Sequence, residues 1–100
     1  MTIDTAIDEG VAFLTIVGDL DMATAGQVQA AGERALTDFT GTLRIDLSGV
    51  PFIDSTGIGA LVAIRNKAEA LRHTLILENP SARVLRVFSI AGLEQVFQID

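Results

Sequence analysis

The sequence has no cysteine, a single histidine (His73) and a single lysine (Lys67). Without thiols there can be no disulfide and no thiolate metal site, a composition compatible with a reducing compartment. His73 falls at a predicted helix-to-strand junction with no evident carboxylate to orient it, and a cation near a helix C-terminus is its expected role. The G-x-S-x-G elbow of serine hydrolases is missing, as are a Walker A loop and a G-x-G-x-x-G turn; Gly57-Ile58-Gly59 is only a fragment of the latter. Long apolar runs are missing too. The longest stretch of apolar residues and glycine, Gly57 to Ile64, is far short of the roughly 18 residues that suggest a membrane span. The opening MTIDTAIDEG is acidic and has no apolar run, so no export signal is expected. These absences remove the common enzyme classes. They lead us to expect a soluble cytoplasmic protein with no cofactor, no metal and no membrane partner.

What is present is a large apolar fraction and an uneven charge. Of 100 residues, 49% are apolar, enough for the core of one domain spanning residues 1–100. The net charge of −6 argues against non-specific nucleic-acid binding. Residues 1–54 hold nine acids against two arginines, whereas residues 55–100 hold four acids against Arg65, Lys67, Arg72, Arg83 and Arg86. The second half therefore offers solvated helix faces or a partner surface of mixed charge.

The pattern along the chain predicts an α/β sandwich with a mixed sheet of four to five strands and helices packed mainly on one face. Ile3, Thr5 and Ile7 alternate as a short edge strand, and Asp8-Glu9-Gly10 marks a hairpin. Val11–Val17 is apolar on both sides and reads as an interior strand. After Gly18-Asp19-Leu20-Asp21, with Asp21 or Thr24 as cap, a helix is expected from Ala23 to Asp38, with Val28, Ala31, Ala35 and Leu36 inward. Gly26 and Gly32 weaken that helix, so packing must hold it. Leu43, Ile45 and Leu47 alternate with Arg44, Asp46 and Ser48 as a half-buried strand, broken by Gly49 and Pro51. A second helix starts after Ser55 and ends near Arg72, with Ile58, Leu61, Val62, Ala68 and Leu71 as its apolar stripe. Leu75–Glu78 is a strand, and Ser81 caps a third helix from Ala82 to Ala91, with Val84, Leu85 and Phe88 inward and Gly92 just past its end. Leu93–Ile99 fits either a short helix or a helix followed by a strand.

The polar run Asp54-Ser55-Thr56, followed by Gly57-Ile58-Gly59, stands where the strand gives way to the second helix. A helix start has unpaired amides and a partial positive charge, so a phosphate there can be accommodated. Ser55 lies at an exposed turn, and the glycines leave room for another protein. Phosphorylation would add about −1.5 to −2 charges beside Asp54, and beside Asp19 and Asp21 if both loops lie at one end of parallel strands. The same three residues also read as a plain helix cap. Asp19, Asp21 and Asp54 are moreover the residue type that holds Mg²⁺ in receiver-like phosphoacceptor domains. Receivers, however, use an adjacent acidic pair after the first strand and a late lysine. Here Asp19 and Asp21 are not adjacent, and Lys67 falls within a helix.

Taken with these residues, the chain resembles the STAS domain family, and within it the bacterial anti-sigma factor antagonists. The likeness runs through Gly18-Asp19-Leu20-Asp21 with Thr24-Ala25, Ile45-Asp46-Leu47-Ser48-Gly49-Val50, and the Asp54–Gly59 motif. It continues through Glu78-Asn79-Pro80, Arg86-Val87-Phe88, Ala91-Gly92-Leu93 and Val96-Phe97. The resemblance implies a partner that is both an anti-sigma factor and a serine kinase. Binding it releases a sigma factor, phosphorylation of Ser55 ends the binding, and a PP2C-type phosphatase restores it. It assigns partner binding to Asp21, Thr24, Asp54, Ser55, Thr56, Gly57, Ile58 and Gly59, with Thr56 as a secondary acceptor or the true cap. The family often has serine in place of Thr56 and a glycine near His73. Its other branches include tails of anion transporters, stressosome components and partners in lipid transport, so the alternative is a non-switched scaffold subunit of a transport or stress-signalling complex.

Overall fold

The computed structural model describes residues 1–38 and 41–100. Strands β1 (Thr2–Asp8) and β2 (Val11–Val17) form the expected hairpin. Glu9 and Gly10 both take positive φ, 47° and 82°, the two-residue turn whose twist matches paired strands. The chain then alternates: α1 (Ala25–Asp38), β3 (Thr42–Gly49), α2 (Ser55–Leu71), β4 (Thr74–Glu78), α3 (Ala82–Ile90) and β5 (Gln98–Ile99). The sheet keeps sequence order, β1-β2-β3-β4-β5, with β1 antiparallel to β2 and every later neighbour parallel. Each parallel crossover moves one strand over in the same direction. With a common right-handed sense, this puts all three helices on one face.

Strand burial follows that layering. Ala12, Leu14 and Ile16 of β2, Leu43, Ile45 and Leu47 of β3, and Leu77 of β4 are buried. They form one core with Val28 and Leu36 of α1, Leu61 and Ile64 of α2, and Val84 and Phe88 of α3. The other face has no helix layer, although Ile76 of β4 is buried on it. Phe13 and Val17 are partly exposed there, and Arg44 reaches Glu78 and Asp100 at 2.9 Å each. So β2 is interior by position but is covered on one side only, where the sequence suggested apolar packing on both.

Further differences have local causes. Helix α1 starts at Ala25 rather than Ala23, because residues 21–24 form a separate turn closed by Thr24 N–H and Ala25 N–H donating to the Asp21 carbonyl. Leu71 and Leu85, expected inward, are 43% and 39% exposed. Leu71 sits in the last turn of α2, and the short α3 buries the Val84–Phe88 pair instead. Ile64, one turn on from Leu61 and outside the expected stripe, is fully buried. After Gly92 (φ 72°) the chain makes turns and adds β5, so the helix expected in either reading of Leu93–Ile99 is replaced by turns and only the strand is present. Ser81 caps α3 as expected, accepting from Val84 N–H at 3.2 Å.

Candidate functional site

The end of the sheet where β2 and β3 finish is held together by backbone. Gly18 N–H donates to the Gly49 carbonyl (2.9 Å), Leu20 N–H to the Phe52 carbonyl (2.9 Å), and Asp54 N–H to the Leu20 carbonyl (3.2 Å). Leu20 and Ile53 thus form a parallel bridge beyond the two strands. Both side chains are buried, which anchors two exposed loops to the core. Asp19 and Asp21 therefore come to the same end as Asp54 and Ser55, the arrangement that required parallel strands.

The second loop starts α2. Asp54, half-buried and extended (φ −114°, ψ −175°), is the N-cap, and its Oδ1 accepts from Gly57 N–H at 2.9 Å. Ser55 and Thr56 follow as the first two helical residues, and both are exposed. The cap is therefore Asp54. Neither hydroxyl is consumed by it, and Thr56 does not hold the capping role that was open to it. By position, the Ser55 and Thr56 amides precede the first intrahelical acceptor, so they face outward with the positive end of a 17-residue helix.

The other loop is tied by Thr24. Its hydroxyl donates to the Asp19 carbonyl (2.7 Å) and accepts from Asp21 N–H (3.0 Å), while Asp21 Oδ1 accepts from Ala23 N–H (2.9 Å). Asp21 and Thr24 are half-buried and fix the loop's shape. Among the described residues, no group of three His, Asp or Glu side chains is placed to hold a metal ion.

The motif's glycines separate into two kinds. A side chain at Gly57 would run into the Leu20 carbonyl and come within 2.9 Å of Ile53 Cγ1, so this glycine lets α2 press against the first loop. Gly57 and the adjacent Ile58 are buried, unlike the exposed positions expected of partner-contact residues. Gly59 is exposed with open space around it, and it lies one turn beyond Ser55. Sequence reasoning missed two residues here, Met22 and Phe52. They line a shallow hollow with Asp21, Ala23 and Asp54, and are 79% and 42% exposed. The signal was an apolar residue inside each polar turn. His73 lies at the far end of α2, and its buried Nδ1 has no hydrogen-bond partner among the described residues.

The fold and its apex define a class: a one-faced mixed α/β sheet whose displayed end joins two acidic loops and carries two outward hydroxyls at a helix start. Residues 2–100 match the STAS domain family, and the chain belongs to that family. It is 34% identical over 84 residues to the anti-sigma-B factor antagonist of Listeria monocytogenes, covering 84% of this chain and 74% of the relative. It is 31% identical over 100 residues to the anti-sigma-B factor antagonist of Bacillus subtilis, covering all of this chain and 91% of the relative. The crystal structure of an anti-sigma factor antagonist from Mycobacterium paratuberculosis superimposes with a TM-score of 0.87 at 26% identity, over 98% of this chain and 83% of that one.

Proposed function

We propose that this protein is an anti-sigma factor antagonist working in the cytoplasm as a single domain, switched by phosphorylation of Ser55. Unmodified, it binds an anti-sigma factor that is also a serine kinase, and a sigma factor is released. The kinase transfers the terminal phosphoryl group of ATP to the Ser55 hydroxyl. The modified protein then dissociates, and a PP2C-type phosphatase hydrolyses the phosphoserine. The observation that carries this reading is the placement of Ser55. It is exposed, first in α2, next to a cap that Asp54 already supplies, and at the same end as the Asp19–Asp21 loop. A dianion there meets helix amides that tolerate it and neighbouring carboxylates that make the surface repellent to a partner fitted to the unmodified form. A non-switched scaffold would leave this exposed hydroxyl without a use. No helix among the described residues is long and apolar enough to cross a membrane, which is compatible with the expected location.

The test is incubation with the anti-sigma factor kinase and ATP. Wild type is expected to take up one phosphoryl group and Ser55→Ala none. Ser55→Asp is expected to keep the fold and bind the kinase at least tenfold more weakly. Equal binding by Ser55→Asp and wild type would overturn the switch.

A further inference from the structure

Met22 and Phe52 have a physical oddity in common. Leu20, Val50, Ile53 and Ile58 near this end of the sheet are buried, yet these two project outward. Met22 is two residues from the buried Leu20 and Phe52 is next to the buried Ile53, and the Leu20–Phe52 backbone bond fixes their loops against each other. They flank a hollow whose remaining walls are Asp21, Ala23 and Asp54. An exposed apolar pair with acids between its members differs from scattered surface hydrophobes such as Ile90, which sits alone at the last turn of α3.

We propose that Met22 and Phe52 are the apolar anchors of the antagonist's docking surface. The partner they fit is an anti-sigma factor face with an apolar recess edged by lysine or arginine. The inference rests on the proposed function and deepens it. Charge complementarity points to that occupant, because Asp21 and Asp54 line the hollow between the pair, and a second copy of this chain would set acid against acid. Anchors of this kind carry most of the energy of small interfaces when water is excluded around them. They also say how the switch acts. Ser55 follows a residue that lines the hollow, so docking the anchors would strip water from a phosphate at its edge, which is costly without a matching cation. Gly59 leaves that side of α2 bare, so a partner backbone can lie close beside Ser55.

The experiment measures binding of the unphosphorylated protein to the host's purified anti-sigma factor by calorimetry. The variants are Met22→Ala, Phe52→Ala and the control Ile90→Ala. Met22→Ala and Phe52→Ala are each expected to weaken binding about tenfold or more. Ile90→Ala, which removes an equally exposed apolar side chain at the other end of the fold, is expected to bind like wild type. Thermal melting and circular dichroism check that each variant folds, and Met22, at 79% exposure, tolerates truncation even if Phe52→Ala does not fold. Wild-type binding with no loss in Met22→Ala overturns the anchor proposal and leaves the Ser55 reading standing. Failure of wild type to bind any anti-sigma factor overturns both. Concentration-dependent self-association that Met22→Ala abolishes would assign the surface to a second copy and overturn the proposal.

Discussion

Single residues decide what the apex can do, and the two motif glycines show it most directly. Gly57 and Gly59 look alike in the sequence, yet one has the Leu20 carbonyl where a Cβ would go and the other has open space. An alanine at Gly57 must push α2 away from the Leu20 loop, and overpacking of this kind costs about 1–3 kcal/mol. An alanine at Gly59 removes the flexibility of glycine within a helix and gains about 0.5–1 kcal/mol. Gly57→Ala is therefore expected to lower Tm by several degrees, since 1 kcal/mol shifts a domain of this size by about 4–8 °C. Gly59→Ala is expected to raise Tm by a few degrees while weakening partner binding, the signature of a glycine kept for access. Paired melting and binding measurements check both. A Gly57→Ala protein as stable as wild type would contradict the packing described here.

At the scale of elements, the close packing of α1 on α2 depends on Gly32. A Cβ there would lie 2.5 Å from Ile64 Cδ1 and 2.8 Å from Cγ1, and Ile64 is fully buried. Gly32→Ala is expected to destabilise despite its better helix propensity, and adding Ile64→Val, which removes the clashing methyl, is expected to recover part of the loss. Chemical denaturation of the single and double variants measures that coupling, and strict additivity would refute it. The sequence carried most of these elements, because alternation in Leu43–Leu47 and the caps at Asp54 and Ser81 are local signals. It also carried the Asp54–Gly59 run at the start of α2. It did not carry which face of β2 is covered, since Val11–Val17 is apolar throughout and only the helix arrangement leaves Phe13 and Val17 open. Nor did it carry the meeting of Leu20 with Ile53. That bridge joins residues far apart in the chain, and through it Met22 and Phe52 come to share a hollow with Asp54.

At the scale of the whole molecule, the question is whether a phosphate at Ser55 acts locally or disturbs the fold. The protein already carries −6, and the modification adds about −1.5 to −2 more. The added charge sits at the outer end of α2. There, for each unit of charge, the helix start contributes about 0.3–1 kcal/mol in its favour, and repulsion from a carboxylate about 4 Å away in water costs about 1 kcal/mol. The two effects nearly offset each other. The core beneath is a single apolar cluster spanning β2, β3, β4 and all three helices, and neither effect reaches it. Phosphorylation is therefore expected to move Tm by no more than a few degrees. Changes in amide chemical shift are expected to be confined to the two loops around residues 19–24 and 52–59. Spectra of the modified and unmodified protein recorded under one buffer check this. If instead the changes extended through β4 and α3, phosphate would act by reshaping the fold, and the apex would be the trigger of a conformational change rather than the whole of the switch.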